Sequence, residues 1–145
     1  MTKKPFIIAA ISSIVIIAML FVINFITSFG HPWFIYPAFA VAWWPLSVYF
    51  AGNGKYTLFS IAASVLVTVF FLLVNLITSF AYPWFIYPVF VIWWWPLVML
   101  TAARRRYRLF SVIAAVYTIV FFLAVNLISS PNMIWFIYPA FAVVW

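Results

Sequence analysis

Three asparagines stand 51 residues apart within apolar runs: Asn24, Asn75 and Asn126. Each is followed, three and four positions on, by hydroxyl residues: Thr27-Ser28, Thr78-Ser79 and Ser129-Ser130. An amide has no proton to trade near neutral pH. It offers two N–H donors and one carbonyl oxygen, so its chemistry is hydrogen bonding alone. In apolar surroundings that capacity has two uses. The amide can bond across a chain reversal while the hydroxyls take late carbonyls of a helix. Alternatively, three amides can line a polar path through a membrane.

The remaining reactive side chains are few. Asp, Glu and Cys are absent, and His31 is the one histidine. General acid–base, metal and covalent catalysis therefore lack their usual agents. A lone His in a turn reads as a solvated residue, and no metal or cofactor is expected. Tyr, Ser and His31 remain available to a membrane enzyme, but their spacing gives them no shared site. The seven basic residues are Lys3, Lys4, Lys55, Arg104, Arg105, Arg106 and Arg108, giving a net charge of +7 that nothing opposes.

A chain that is 71% hydrophobic and 5% charged has no water-facing surface to offer, so its solvent is lipid. The element that positions the asparagines is an internal repeat. The 51-residue offset maps Trp33-Phe34-Ile35-Tyr36-Pro37 onto Trp84-Phe85-Ile86-Tyr87-Pro88 and Trp135-Phe136-Ile137-Tyr138-Pro139 without a gap. Lys4, Lys55 and Arg106 keep the same register, as do Trp43-Trp44-Pro45 and Trp94-Trp95-Pro96. Three units follow, at 1–52, 53–103 and 104–145.

Each unit reads as a helical hairpin. Long continuous apolar runs exclude barrel strands, and lipid leaves helices as the remaining way to satisfy the backbone. The expected spans are Pro5–Ser28, Pro32–Phe50, Tyr56–Ser79, Pro83–Leu100 and Tyr107–Ser130, with a sixth helix from near Ile134. The fold class is thus an all-α membrane protein of three tandem transmembrane hairpins, with five full spans and a sixth, truncated helix. Pro32 and Pro83 are expected in a first helical turn. Pro45 and Pro96 lie deeper and are expected to kink their helices. Small residues four apart, Ala9 with Ser13, Ser60 with Ser64 and Ser111 with Ala115, predict the packing face of each first helix.

The run from Phe6 to about Ile26 is too long for a secretory h-region and reads as an uncleaved first helix. All Lys and Arg fall at the N-terminus or between hairpins, while the turns at 28–33, 79–84 and 130–135 carry none. The positive-inside rule then places the N-terminus in the cytoplasm of a cell whose membrane the chain crosses repeatedly. Trp33, Tyr36, Trp84, Tyr87, Trp135 and Tyr138 fall where an outer aromatic belt belongs. The basic loops meet anionic headgroups on the cytoplasmic side. Nucleic acid is not an expected partner, and Gly52-Asn53-Gly54 lacks the context of a phosphate loop.

Val-Asn-Leu-Ile-Thr-Ser at 74–79 and Val-Asn-Leu-Ile-Ser-Ser-Pro at 125–131, each followed by Trp-Phe-Ile-Tyr-Pro, resemble the bacterial two-transmembrane-helix (2TM) domain. That family consists of short helical hairpins, alone or attached to histidine kinases and other signalling proteins. The resemblance implies membrane residence and a link to bacterial signalling, and offers no catalytic residue. This sequence departs from it by stacking three copies, and no attached cytoplasmic domain is expected. By the repeat, Trp145 matches Trp43 and Trp94, so the last helix stops before the Trp-Pro-Leu of the earlier copies. A truncated reading frame is the expectation. The function read from the sequence is a non-enzymatic membrane module that packs with copies of itself or with a membrane partner. The alternative is a small transporter or channel with Asn24, Asn75 and Asn126 lining its path.

Overall fold

The computed structural model describes residues 3–144, among which there are six α-helices and no strand. They are α1 (Lys3–Thr27), α2 (Ile35–Phe50), α3 (Tyr56–Thr78), α4 (Ile86–Leu100), α5 (Tyr107–Ser129) and α6 (Ile137–Val144). Trp145, the repeat partner of Trp43 and Trp94, lies outside the described residues. The helices are apolar around their whole circumference, which marks a lipid-facing or deeply buried helix. On α1, Ile14 is 66% and Ile26 76% exposed, so burial within the chain is not what covers them.

Four stretches are long and apolar enough to cross a bilayer: Lys3–Thr27, Tyr56–Thr78, Ile86–Arg104 and Tyr107–Ser129. The 16-residue α2 is shorter, about 24 Å against a hydrocarbon core of about 30 Å. The expected length of the second helices rests on Pro32 and Pro83 as first-turn residues. Both instead precede their helices by three positions. Pro32 sits at the centre of a tight turn in which the Trp33 N–H donates to the His31 carbonyl at 2.8 Å. In the second copy the Trp84 N–H donates to the Tyr82 carbonyl at 2.9 Å around Pro83. The fixed φ of proline suits such an inverse γ-turn. The first-turn role passes to Pro37, Pro88 and Pro139, the third residue of α2, α4 and α6, where a missing N–H costs nothing.

The chain divides into two compact units, the first ending at Val74 and the second beginning at Asn75. The boundary falls inside α3. In the first unit α1 and α2 form an antiparallel pair, and Ala9 and Ser13 of α1 are both buried. Pro45 cannot donate to the carbonyl four residues back, that of Val41. The Ser13 hydroxyl of α1 donates to that carbonyl at 3.4 Å, a long bond that meets the vacancy from the neighbouring helix. Ser13→Ala is therefore expected to cost about 0.5–1 kcal/mol in the native chain. In a Pro45→Ala background, where residue 45 regains its N–H, the same change should cost nothing. Equal losses in both backgrounds, measured by reversible unfolding in mixed micelles, would refute the pairing.

In the second unit α5 pairs with α6. The expected packing residue Ser111 is exposed there, and its hydroxyl donates to the Tyr107 carbonyl of its own helix at 3.0 Å. The eight described residues of α6 extend about 12 Å, and Ser111 lies near the far end of the 23-residue α5. Ser60 and Ser64 are fully buried, as their spacing predicts.

After α2 and after α4 the chain turns by one recurring motif. After α2 a 3₁₀ turn, Ala51–Asn53, leads to Gly54 at φ +69°, and the Lys55 N–H donates to the Phe50 carbonyl at 2.8 Å. After α4 the turn Ala102–Arg104 leads to Arg105 at φ +58°, and the Arg106 N–H donates to the Thr101 carbonyl at 3.1 Å. This six-to-one bond with a left-handed residue before it is a Schellman motif, whose usual left-handed residue is glycine. Arginine at that position carries a Cβ clash of about 1 kcal/mol. Arg105→Gly should raise stability by about that amount and Gly54→Ala should lower it similarly, as read from unfolding midpoints. Opposite signs at the two positions are the signature; the same sign would overturn the assignment.

Candidate functional site

The site that recurs in every copy is the turn that follows its first helix. α1 ends at Thr27 because the next residues must reverse direction, and its last carbonyls and the first N–H groups of α2 need partners in lipid. Asn24, 4% exposed, supplies them from one side chain. Its Nδ2 donates to the Ser28 carbonyl at 2.8 Å and to the His31 carbonyl at 3.0 Å. Its Oδ1 accepts the Phe34 N–H at 2.9 Å. Phe34 is the residue just before α2 and has no side-chain oxygen to cap it. The asparagine of the preceding helix does what a glutamate does in a capping box.

The second and third copies repeat the geometry. Asn75 donates to the Ser79 and Tyr82 carbonyls at 2.5 and 3.0 Å and accepts the Phe85 N–H at 3.1 Å. Asn126 donates to the Ser130 and Met133 carbonyls at 2.8 and 2.6 Å. Its Oδ1 accepts two N–H groups, Trp135 at 2.9 Å and Phe136 at 3.0 Å. The hydroxyls beside the amides take late helix carbonyls: Thr27 donates to Ile23 and Ser129 to Val125, each at 2.8 Å. Both N–H donors of all three amides are thus committed to carbonyls of their own turn. Among the described residues no buried side-chain N or O lacks a partner.

The aromatic residues placed in the belt are positioned by the same turns, and some do more. Trp33, Trp84 and Trp135 are half-buried, at the turn just before the second helices. Trp135 lies edge-on to Phe122 at 6.2 Å. Tyr36 and Tyr87, in the first turns of α2 and α4, lie edge-on to Phe70 at 6.1 Å and Phe121 at 6.0 Å. The Tyr82 and Tyr87 hydroxyls share a hydrogen bond of 2.5 Å. Tyr138 is 73% exposed.

Sequence reasoning missed the stacking that joins α2 to α3 and α4 to α5. Within the first unit Phe39 of α2 stacks on Phe70 of α3 with centroids 4.0 Å apart and planes at 21°. Within the second, Phe90 of α4 stacks on Phe121 of α5 at 3.9 Å and 12°. Trp43 with Phe59 and Trp94 with Phe110 join the same helices edge-on, each at 6.3 Å. All these residues obey the 51-residue offset, so the match of Phe70-Phe71-Leu72 in α3 with Phe121-Phe122-Leu123 in α5 was the available signal. The two interfaces differ in filling. The first leaves a cavity of about 260 Å³ beside Ala38, Ala42 and Leu66, where the second carries Val89, Trp93 and Tyr117. Tyr117 stacks on Phe90 at 4.9 Å and donates its hydroxyl to the Phe90 carbonyl at 3.0 Å.

The basic residues lie apart from the amides along the chain. Lys3 and Lys4 open α1, Lys55 lies between α2 and α3, and Arg104, Arg105, Arg106 and Arg108 surround the start of α5; all are exposed. The Lys55 ammonium lies 5.4 Å from the Tyr49 ring centroid, a cation–π contact. His31 is exposed in the first turn and contributes its carbonyl to Asn24. Comparison with protein-family models, with curated proteins and with solved structures finds no match.

Proposed function

We propose that the chain is a non-enzymatic, multi-pass module of a bacterial cell membrane, built of hairpins that pack with one another and with copies of the chain or a membrane partner. Four helices long and apolar enough to span a bilayer support membrane residence. The observation that carries the rest is the use made of the three amides. The three buried amides are spent on closing the turns after the first helices, which leaves their N–H donors no capacity for a substrate. Against the transporter alternative stands the same saturation. The resemblance to 2TM domains supports a link to signalling, with the basic loops on the cytoplasmic side.

The test uses a chain that has no native cysteine. Single cysteines at Gly30, Gly54, Ala81, Ala103 and Asn132 are labelled on intact cells with an impermeant thiol reagent. Positions 30, 81 and 132 should label, and 54 and 103 should react only after lysis. Labelling of 54 or 103 in intact cells would reverse the orientation or break the hairpin assignment. Solute flux in liposomes that vanished when all three asparagines became leucine would favour transport instead.

A further inference from the structure

The repeat supplies an internal reference for the basic loop. Position by position, Asn53-Gly54-Lys55-Tyr56-Thr57 becomes Arg104-Arg105-Arg106-Tyr107-Arg108. The backbone is the same Schellman turn in both, so the turn itself requires none of the arginines. At the left-handed position it is better served by the Gly54 of the first copy than by Arg105. Four guanidinium groups therefore stand within five residues at a conformational cost, all exposed. No carboxylate side chain exists anywhere in the sequence to pair with them. Like charges this close repel unless an anion lies between them.

Beside them lies an open cavity of about 560 Å³ lined by Arg105, Arg106, Tyr107, Arg108 and Leu109. Its basic side continues into an apolar stripe along α5, where Leu109, Val112, Val116 and Val120 are 45–62% exposed. A soluble anion would use the first part and leave the second idle. A lipid uses both. We propose that this cavity holds the headgroup of a lipid carrying two phosphates, with its acyl chains along the α5 stripe. A single phosphodiester leaves most of the four positive charges unanswered, whereas two present enough oxygens for several guanidinium forks. Basic pockets at the ends of membrane helices suit such headgroups. The inference rests on the membrane reading above and adds to it a ligand class and a place.

The full chain, purified in a neutral maltoside detergent, is titrated separately with cardiolipin, phosphatidylglycerol and inorganic pyrophosphate. Bound lipid is counted by native mass spectrometry and the thermal midpoint is followed. Cardiolipin should bind at least tenfold more tightly than phosphatidylglycerol and raise the midpoint, and pyrophosphate should do neither. The triple variant Arg104→Asn, Arg105→Gly, Arg108→Thr takes the first-copy residues at those three positions and should lose that tenfold preference, while its unliganded midpoint rises slightly through the glycine at the left-handed position. If the triple variant does not fold, Arg108→Thr alone should weaken cardiolipin binding several-fold. Equal affinity for the one- and two-phosphate lipids, an unchanged preference in the variants, or pyrophosphate binding as well as cardiolipin would each overturn the proposal. Cysteine labelling that agrees with the hairpin topology, together with no cardiolipin preference, would sink this site and leave the membrane reading standing.

Discussion

Replacing Asn126 with leucine should destabilise the protein by about 3 kcal/mol, the largest loss expected of any single substitution considered. The amide serves two carbonyls and two N–H groups. Leucine serves none of them, and a polar group left without its partner in a poorly solvated place costs about 1–3 kcal/mol. Water at the helix ends recovers part of that, which keeps the total below the simple sum. The copies provide their own control. Asn24 makes three such bonds instead of four, so Asn24→Leu should cost about 1 kcal/mol less than Asn126→Leu. Unfolding in micelles of increasing SDS mole fraction reads both values. A loss below about 1 kcal/mol at Asn126 would mean that the turn closes without the amide.

The second large effect concerns the stacked rings. Truncating a buried phenylalanine in a water-soluble core costs about 3–5 kcal/mol, mostly through apolar transfer and the cavity left behind. In a bilayer lipid replaces the lost contact and the transfer part falls away. Phe90→Ala and Phe121→Ala should each cost about 1–2 kcal/mol. A double-mutant cycle between them should return a coupling of about 1 kcal/mol, the part due to ring-on-ring geometry. The Phe39–Phe70 pair, with nearly the same separation, should couple to the same degree. Phe90→Ala should exceed Phe39→Ala, because Phe90 also carries Tyr117 where the first copy has Leu66. Zero coupling at both pairs would reduce the stacks to incidental neighbours.

What could be read from the residues was what repeats along the chain. The 51-residue offset, the span-length apolar runs and the amide beside paired hydroxyls are all one-dimensional patterns, and each is tied to a physical demand of the backbone in lipid. The start of the second helices was misplaced because Pro32 satisfies two rules at once. Proline suits a first helical turn and equally suits a γ-turn, and the choice was made by Asn24, whose bond to the Phe34 N–H begins the helix later. The partnership of Ser13 with the carbonyl vacated by Pro45 needs the register between α1 and α2, which no single helix encodes. The same is true of Phe39 and Phe70. Both residues were visible as repeated aromatics, and only their pairing across hairpins gave them a purpose.

The turn bonds of each asparagine join residues four to ten positions apart. Such contacts close early, because little chain entropy is lost in forming them. A hairpin of this kind can set its reversal as soon as about a dozen residues past the asparagine have been synthesised, before the next one exists. The stacked rings join neighbours only afterwards. On the membrane reading proposed above, the expected order of insertion is in pairs of helices, each pair already folded back on itself, with an error in one turn confined to the pair that contains it.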